Sequence, residues 1–140
     1  MKFDQNNRII KLCAGGMGLE AAGKNEEALQ LFQQAWNESA TDFEKFTAAH
    51  YVARHQKSVA DKLKWDETAL NLALKINDDE LKGAYPSLYL NIAKCYEDLK
   101  DFENAEKNYK LAFSFTSNLA DDSYGQMIKK GIMNGLERIK

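Results

Sequence analysis

An all-α fold of about seven antiparallel helices is predicted by three observations on this 140-residue chain. Apolar residues recur at steps of three and four along most of it, the period of a half-buried helix. Proline occurs once, and Ala, Leu, Lys, Glu and Asn outnumber the β-branched residues, which favours helix over strand. A helix-turn-helix pattern also returns along the chain, and such internal repetition decides the architecture before any single motif does. The pattern divides one domain, 1–140, into repeats at about 9–40, 43–77 and 86–117, with a closing helix at about 121–139.

The first and last repeats carry the clearest copies. Asn25-Glu-Glu-Ala-Leu-Gln-Leu-Phe-Gln-Gln-Ala-Trp36 and Phe102-Glu-Asn-Ala-Glu-Lys-Asn-Tyr-Lys-Leu-Ala-Phe113 share one form. Ala28, Phe32 and Ala35 align with Ala105, Tyr109 and Ala112 on one helix face. Small residues there let a neighbouring helix approach closely, and the aromatic fills the remaining space. Each of these helices follows another. Leu12, Gly15, Gly16 and Leu19 precede a break at Gly23-Lys24, and Tyr89, Ile92, Ala93 and Tyr96 precede one at Lys100-Asp101. Each of the glycines 15, 16 and 18 costs about 1 kcal/mol relative to alanine inside a helix. Gly16 fits a close helix contact, whereas Gly15 and Gly18 suggest either unusually tight packing or a mobile first helix.

The middle repeat is degenerate. Its first helix runs through Phe43, Phe46, Ala49, Val52 and Ala53, and its second through Trp65, Ala69, Leu72, Ala73 and Ile76. The steps from Ala28 to Ala69 and on to Ala105 are 41 and 36 residues, which implies longer turns near 57–60 and 77–85. Pro86 biases Tyr85 away from helical geometry, yet Leu81, Tyr85, Leu88, Ile92, Cys95 and Leu99 keep helical spacing across it. A kinked or newly started helix is expected there. In the tail, Asp121, Asp122 or Ser123 caps a last helix whose stripe is Ile128, Ile132, Leu136 and Ile139. Its Gly131 and Gly135 point to close packing or an interface.

These residues resemble the tetratricopeptide repeat family. The last repeat matches its signature at Tyr89, Ile92, Ala93, Tyr96, Ala105, Tyr109 and Ala112, with Ser117 in place of the closing proline. The first matches at Leu12, Gly16, Leu19, Ala28, Phe32 and Ala35, and departs at Gly15, where a large residue is usual. The segments 48–56 and 85–91 further resemble a group of small bacterial repeat proteins to which no activity attaches. The resemblance implies a right-handed α-solenoid whose first helices line a concave groove for a protein or peptide. The implied inward positions are Ile10, Cys13, Met17, Glu20 and Ala21, then Thr47, His50, Tyr51, Arg54 and Lys57, then Ser87, Asn91, Cys95 and Asp98. Within that groove Arg54 offers a fork to a carboxylate and Asn91 pairs with peptide backbone, while Met17 and Tyr51 supply apolar surface. Members that bind C-terminal carboxylates use lysines, asparagines and an arginine. This chain has Cys13, Met17, Tyr51, Ser87 and Ile92 at the corresponding sites, which argues against a chaperone-tail receptor.

Other functions are disfavoured by composition and spacing. Hydrophobic residues make up 44% and charged residues 29%, a globular balance. The net charge of -2 provides no basic field for nucleic acid. No apolar window suits a membrane span, and the start, Met-Lys-Phe-Asp-Gln-Asn-Asn-Arg, carries no secretory run, so a cytoplasmic location is expected. Cys13 and Cys95 then read as reduced thiols. Gly18-Leu-Glu-Ala-Ala-Gly23-Lys24-Asn25 mimics a phosphate-binding loop, but Asn25 replaces the required Ser or Thr, and a helix precedes it where a strand is needed. Gly16-Met-Gly18 mimics a dinucleotide fingerprint and fails likewise. His50 and His55, five apart, do not share a helix face, so no metal site is expected, and no nucleophile has a base at local spacing. The expectation is a protein-binding adaptor without catalysis, metal or cofactor. Self-association as a homodimer is one alternative. Small-molecule binding or an enzyme built on His50, Arg54, His55 and Asn91 is another.

Overall fold

Seven α-helices and no strand make up residues 4–140, the part of the chain that the computed structural model describes. The first three residues of the N-terminal stretch, read above as carrying no secretory run, lie outside the described residues. The helices are α1 (Arg8–Ala21), α2 (Asn25–Glu38), α3 (Asp42–Ala53), α4 (Val59–Ile76), α5 (Tyr85–Asp98), α6 (Phe102–Ser114) and α7 (Ser123–Arg138). Short 3-10 turns occupy Asp79–Ala84 and Thr116–Asn118. The chain divides into two units, Met1–Ile76 and Asn77–Lys140. No helix among the described residues is long and apolar enough to cross a membrane.

Side chains fix where the helices start. Asn7 Oδ1 accepts from the Ile9 and Ile10 amides at 2.8 and 3.2 Å. Thr41 and Glu44 form a reciprocal capping box on α3. Asp101 caps α6, and Asp122 accepts from the Gly125 amide to cap α7. The ends of α1 and α5 share one turn. Gly23 adopts φ 78° while the Lys24 amide donates to the Leu19 carbonyl at 2.8 Å and Gly23 to Glu20 at 3.0 Å. Lys100 adopts φ 64°, with Asp101 donating to Tyr96 and Lys100 to Glu97, each at 2.9 Å. Both are left-handed C-terminal turns that satisfy the last helical carbonyls. The phosphate-loop lookalike is therefore a helix stop.

Pro86 sits in the first turn of a new helix, where its missing N–H costs nothing. The expected bias on Tyr85 is overridden: this residue is helical, at φ -55° and ψ -45°. Tyr85 closes the preceding 3-10 turn and buries its ring edge-on to Phe115, centroids 5.3 Å apart. Leu81, Tyr85, Leu88, Ile92 and Cys95 are buried as the spacing predicts. Leu99 is the exception and is exposed, since it forms the C-terminal cap of α5.

In the first unit α1 pairs with α2 and α3 with α4. Ile9, Cys13, Ala28, Phe32, Ala35, Ala48 and Val52 form the core. Phe32 rests on Gly16, where an added Cβ would come within 2.4 Å of the ring. Gly15 is also close-packed, with an added Cβ 3.2 Å from Leu31, whereas Gly18 faces open space. Trp36 and Trp65 meet edge-to-face at 5.0 Å and pack on the same core, so they are packing aromatics. In the second unit α5 pairs with α6 around Ala93, Ala105 and Tyr109. The α7 glycines permit close packing. A Cβ on Gly135 would lie 2.2 Å from the Tyr109 ring, and one on Gly131 3.1 Å from Leu90. The half-buried Leu136 and Ile139 also pack here. Glu97 ties the unit together. It accepts from Tyr109 Oη at 2.7 Å and from Arg138 at 2.9 and 3.0 Å.

Gly16→Ala is expected to destabilise the protein by about 1–3 kcal/mol, because overpacking against a fully buried ring outweighs the helix-propensity gain. Gly18→Ala should instead stabilise it by about 0.5–1 kcal/mol, since nothing opposes that gain. Chemical unfolding of both variants checks the opposite signs. Lys100→Gly should raise the unfolding midpoint, by about 0.5–1 kcal/mol, through relief of the left-handed backbone. The Arg138 and Tyr109 hydrogen bonds hold the Glu97 carboxyl below the usual carboxylate range. A depressed folded-state pKa gives stability that is present above the unfolded value and lost as pH falls through the folded one. Glu97→Gln should therefore lower stability at neutral pH and flatten its loss below about pH 4.5, as a pH series of unfolding curves would register.

Candidate functional site

Helices α1 and α3 lie side by side and run the same way, because they are joined at both ends. At their N-terminal ends Asn7 Nδ2 donates to Glu44 Oε2 at 2.8 Å. At their C-terminal ends Glu20 takes two cationic or polar partners, Arg54 at 2.6 Å and His55 at 2.5 Å. Between these ties the pair leaves an apolar cleft of about 80 Å³ lined by Ile10, Cys13, Ala14, Met17, Thr47 and Tyr51. A second cleft, of about 490 Å³, opens at the N-terminal ends, where Ile10 meets Asp4, Asp42, Phe43, Glu44 and Ile76. Ile10 lines both, so the two are neighbours along one face.

The aromatic wall of this face is rigid. Tyr51 stacks on Phe32 with centroids 5.0 Å apart and an interplanar angle of 13°. Phe32 also stacks on His55 at 5.8 Å, and the Arg54 guanidinium lies 4.7 Å over the Tyr51 ring. Burial pushes the Tyr51 phenol up, so it stays protonated at neutral pH. Burial also pushes the Cys13 thiol up to about 11, which leaves it a thiol and a poor nucleophile. His50 packs between Phe46 and Tyr51, its Nδ1 buried without a hydrogen bond. Burial, followed by the Arg54 charge, lowers its pKa, so the ring is neutral at neutral pH.

Of the ten residues expected in a groove, the structure brings six together in the first unit. Cys13, Met17 and Tyr51 share the small cleft, and Met17 is 45% exposed. Arg54 does not stand open to a ligand carboxylate as expected, because Glu20 already supplies one. Glu20 correspondingly is a structural tie with both oxygens engaged. His50 is mostly core. In the second unit two of the four expected positions, Asn91 and Cys95, lie one residue past the register of the first repeat, while Ser87 and Asp98 keep that of Ile10 and Ala21. Ser87 and Cys95 are buried, and the Ser87 hydroxyl donates to the Ala84 carbonyl at 3.0 Å. Asp98 pairs with Lys94, and Asn91 is half-buried. The aligned alanines define an offset of 77, which carries Cys13, Met17 and Glu20 to Leu90, Lys94 and Glu97. Glu97 binds Arg138 as Glu20 binds Arg54, which confirms that register. The cleft at the N-terminal ends draws residues from three helices, and its one local signal in the sequence is Thr41-x-x-Glu44, a capping box that marks where α3 begins. Of the polar quartet His50, Arg54, His55 and Asn91, the first three lie in the first unit and Asn91 in the second. Cys13 and Cys95 are free thiols.

Residues 86–118, which span α5, α6 and the turn after them, match the family model described as tetratricopeptide repeat. No curated protein and no solved structure matches the chain. Repeats of this kind act generally as protein–protein interaction modules. The match falls on one of the helix pairs, so residues 86–118 form a tetratricopeptide repeat, set among the seven helices of the described residues.

Proposed function

We propose that the protein is a non-catalytic adaptor that holds a segment of a partner protein on the face between α1 and α3. The supporting observation is the apolar cleft of Ile10, Cys13, Ala14, Met17, Thr47 and Tyr51, with Met17 left 45% exposed beside it. Methionine next to a rigid tyrosine suits an apolar side chain of variable shape. Mobile surface and fixed wall together lower the ordering cost of binding relative to a wholly flexible site. The polar residues that a chemical function would recruit are already committed. Arg54 and His55 hold Glu20, and His50 is a neutral ring between two aromatics.

A second reading, self-association, is favoured by α7. A closing helix ordinarily turns a polar face to water, yet Tyr124, Met127 and Met133 are 54%, 60% and 51% exposed.

Ala14→Glu with Met17→Glu introduces charge at two exposed cleft positions without touching the core. This variant should lose about tenfold or more in affinity for a partner captured from the source cell, while its unfolding curve stays unchanged. Unaltered capture would remove the α1/α3 face as the site. Sedimentation equilibrium of the parent chain and Met127→Lys separates the second reading, which requires a dimer that the substitution weakens.

A further inference from the structure

Helix α7 stands to α5 and α6 as α3 stands to α1 and α2. Two contacts fix the register. Glu97 binds Arg138 as Glu20 binds Arg54, and Tyr109 lies against Gly135 as Phe32 lies against Tyr51. Both pairs place the α7 residue 84 positions after its α3 counterpart. The two helices differ in what covers their far side. The α3 stripe Phe46, Ala49 and Ala53 is buried where α3 pairs with α4. Its α7 counterpart is Lys130, Met133 and Glu137, and all three are exposed. Phe113, which stands in register with Trp36 where that ring meets Trp65 of α4, is exposed too. We infer that α7 of a second copy of this chain, running antiparallel, takes the place on α7 that α4 takes on α3. This deepens the self-association reading and rests on it.

Direction and charge carry the inference. In the first unit a short turn joins α3 to α4, so the covering helix runs antiparallel to the one it covers. A two-fold axis across α7 also sets the second helix antiparallel, and the same stripe then meets itself. With the axis between Met133 and Asn134, Lys130 faces Glu137 of the second copy, and Glu137 faces the Lys130 of that copy. The stripe is thus complementary in charge to its own inverted image. Neither charge is strongly engaged within the chain. Lys130 has no ion-pair partner among the described residues, and Glu137 meets Lys140 loosely, at 3.7 Å with both side chains largely exposed. Met133, at the axis, and Phe113 supply the apolar area between the two ion pairs. A helix of uniform charge would oppose one of the two ions, and an apolar helix would strip both of water without a partner. The contact draws about three helical turns from each copy, below the size of a standard stable interface, so the dimer is weak and reversible.

The test is sedimentation equilibrium of the full chain over a wide concentration range, with two charge reversals. The parent should show a monomer–dimer equilibrium. Lys130→Glu and Glu137→Lys each set like charges opposite one another twice, so each alone should weaken the dimer about tenfold or more. Mixed in equal amounts, the two variants should form a heterodimer of about parental affinity, because one copy then carries both anions and the other both cations. Added salt should narrow the gap between the parent and the reversals. Both positions are exposed, so the unfolding curves of the variants should superimpose on that of the parent. A parent that stays monomeric throughout overturns the inference and the self-association reading together. A dimer that neither reversal weakens overturns the inference alone, since the contact then lies on another face and self-association stands. Weakening by both reversals without rescue on mixing overturns the antiparallel pairing in the same way.

Discussion

Two buried rings, Phe32 and Tyr109, each lie against a glycine of a neighbouring helix, and the spacing of both units depends on that contact. An added Cβ would come within 2.4 Å of Phe32 at Gly16 and 2.2 Å of Tyr109 at Gly135. The rings and their flanking alanines, Ala28, Ala35, Ala105 and Ala112, are fully buried. A glycine inside a helix costs about 1 kcal/mol, less than the 3–5 kcal/mol commonly lost when a buried phenylalanine is truncated. The local cost is therefore outweighed by the packing it permits. The two units solve the problem with different partners. Phe32 is seated on the first helix of its own pair, Tyr109 on the helix that follows. Because Phe32 also stacks on Tyr51 and His55, one ring holds α1, α2 and α3 at once.

A glutamate at the end of each pair's first helix then orients the helix that comes next. Glu20 takes Arg54 and His55 from just beyond the C-terminus of α3, and Glu97 takes Arg138 from α7 and the Tyr109 hydroxyl. Exposed ion pairs contribute little, about 0–1 kcal/mol, but both glutamates are mostly covered and their oxygens are fully used. Removing one would strand an arginine or a buried hydroxyl, and that loss exceeds the worth of the pair itself. The tie has a functional consequence. The most polar end of the α1/α3 face is satisfied internally, which leaves the apolar middle as the part of that face that the proposed adaptor role would use.

Much of the helical layout was legible because its signals are local. Spacing of three and four, Gly23 as a stop, Asp122 as a cap and the alanine–aromatic pattern of α2 and α6 are each read within one helix. Where the reading failed, the cause was tertiary. Tyr85 enters a helix despite Pro86 because its ring is buried against Phe115. Lys100 takes the left-handed turn that Gly23 takes at the same repeat position, with no glycine to announce it. Arg54 looked available because its partner lies 34 residues away on another helix. Two groove positions of the second unit, Asn91 and Cys95, slipped by one residue, which puts the buried Cys95 where the exposed Lys94 stands in register. That slip was avoidable: the offset that aligns Ala28 with Ala105 also aligns Glu20 with Glu97.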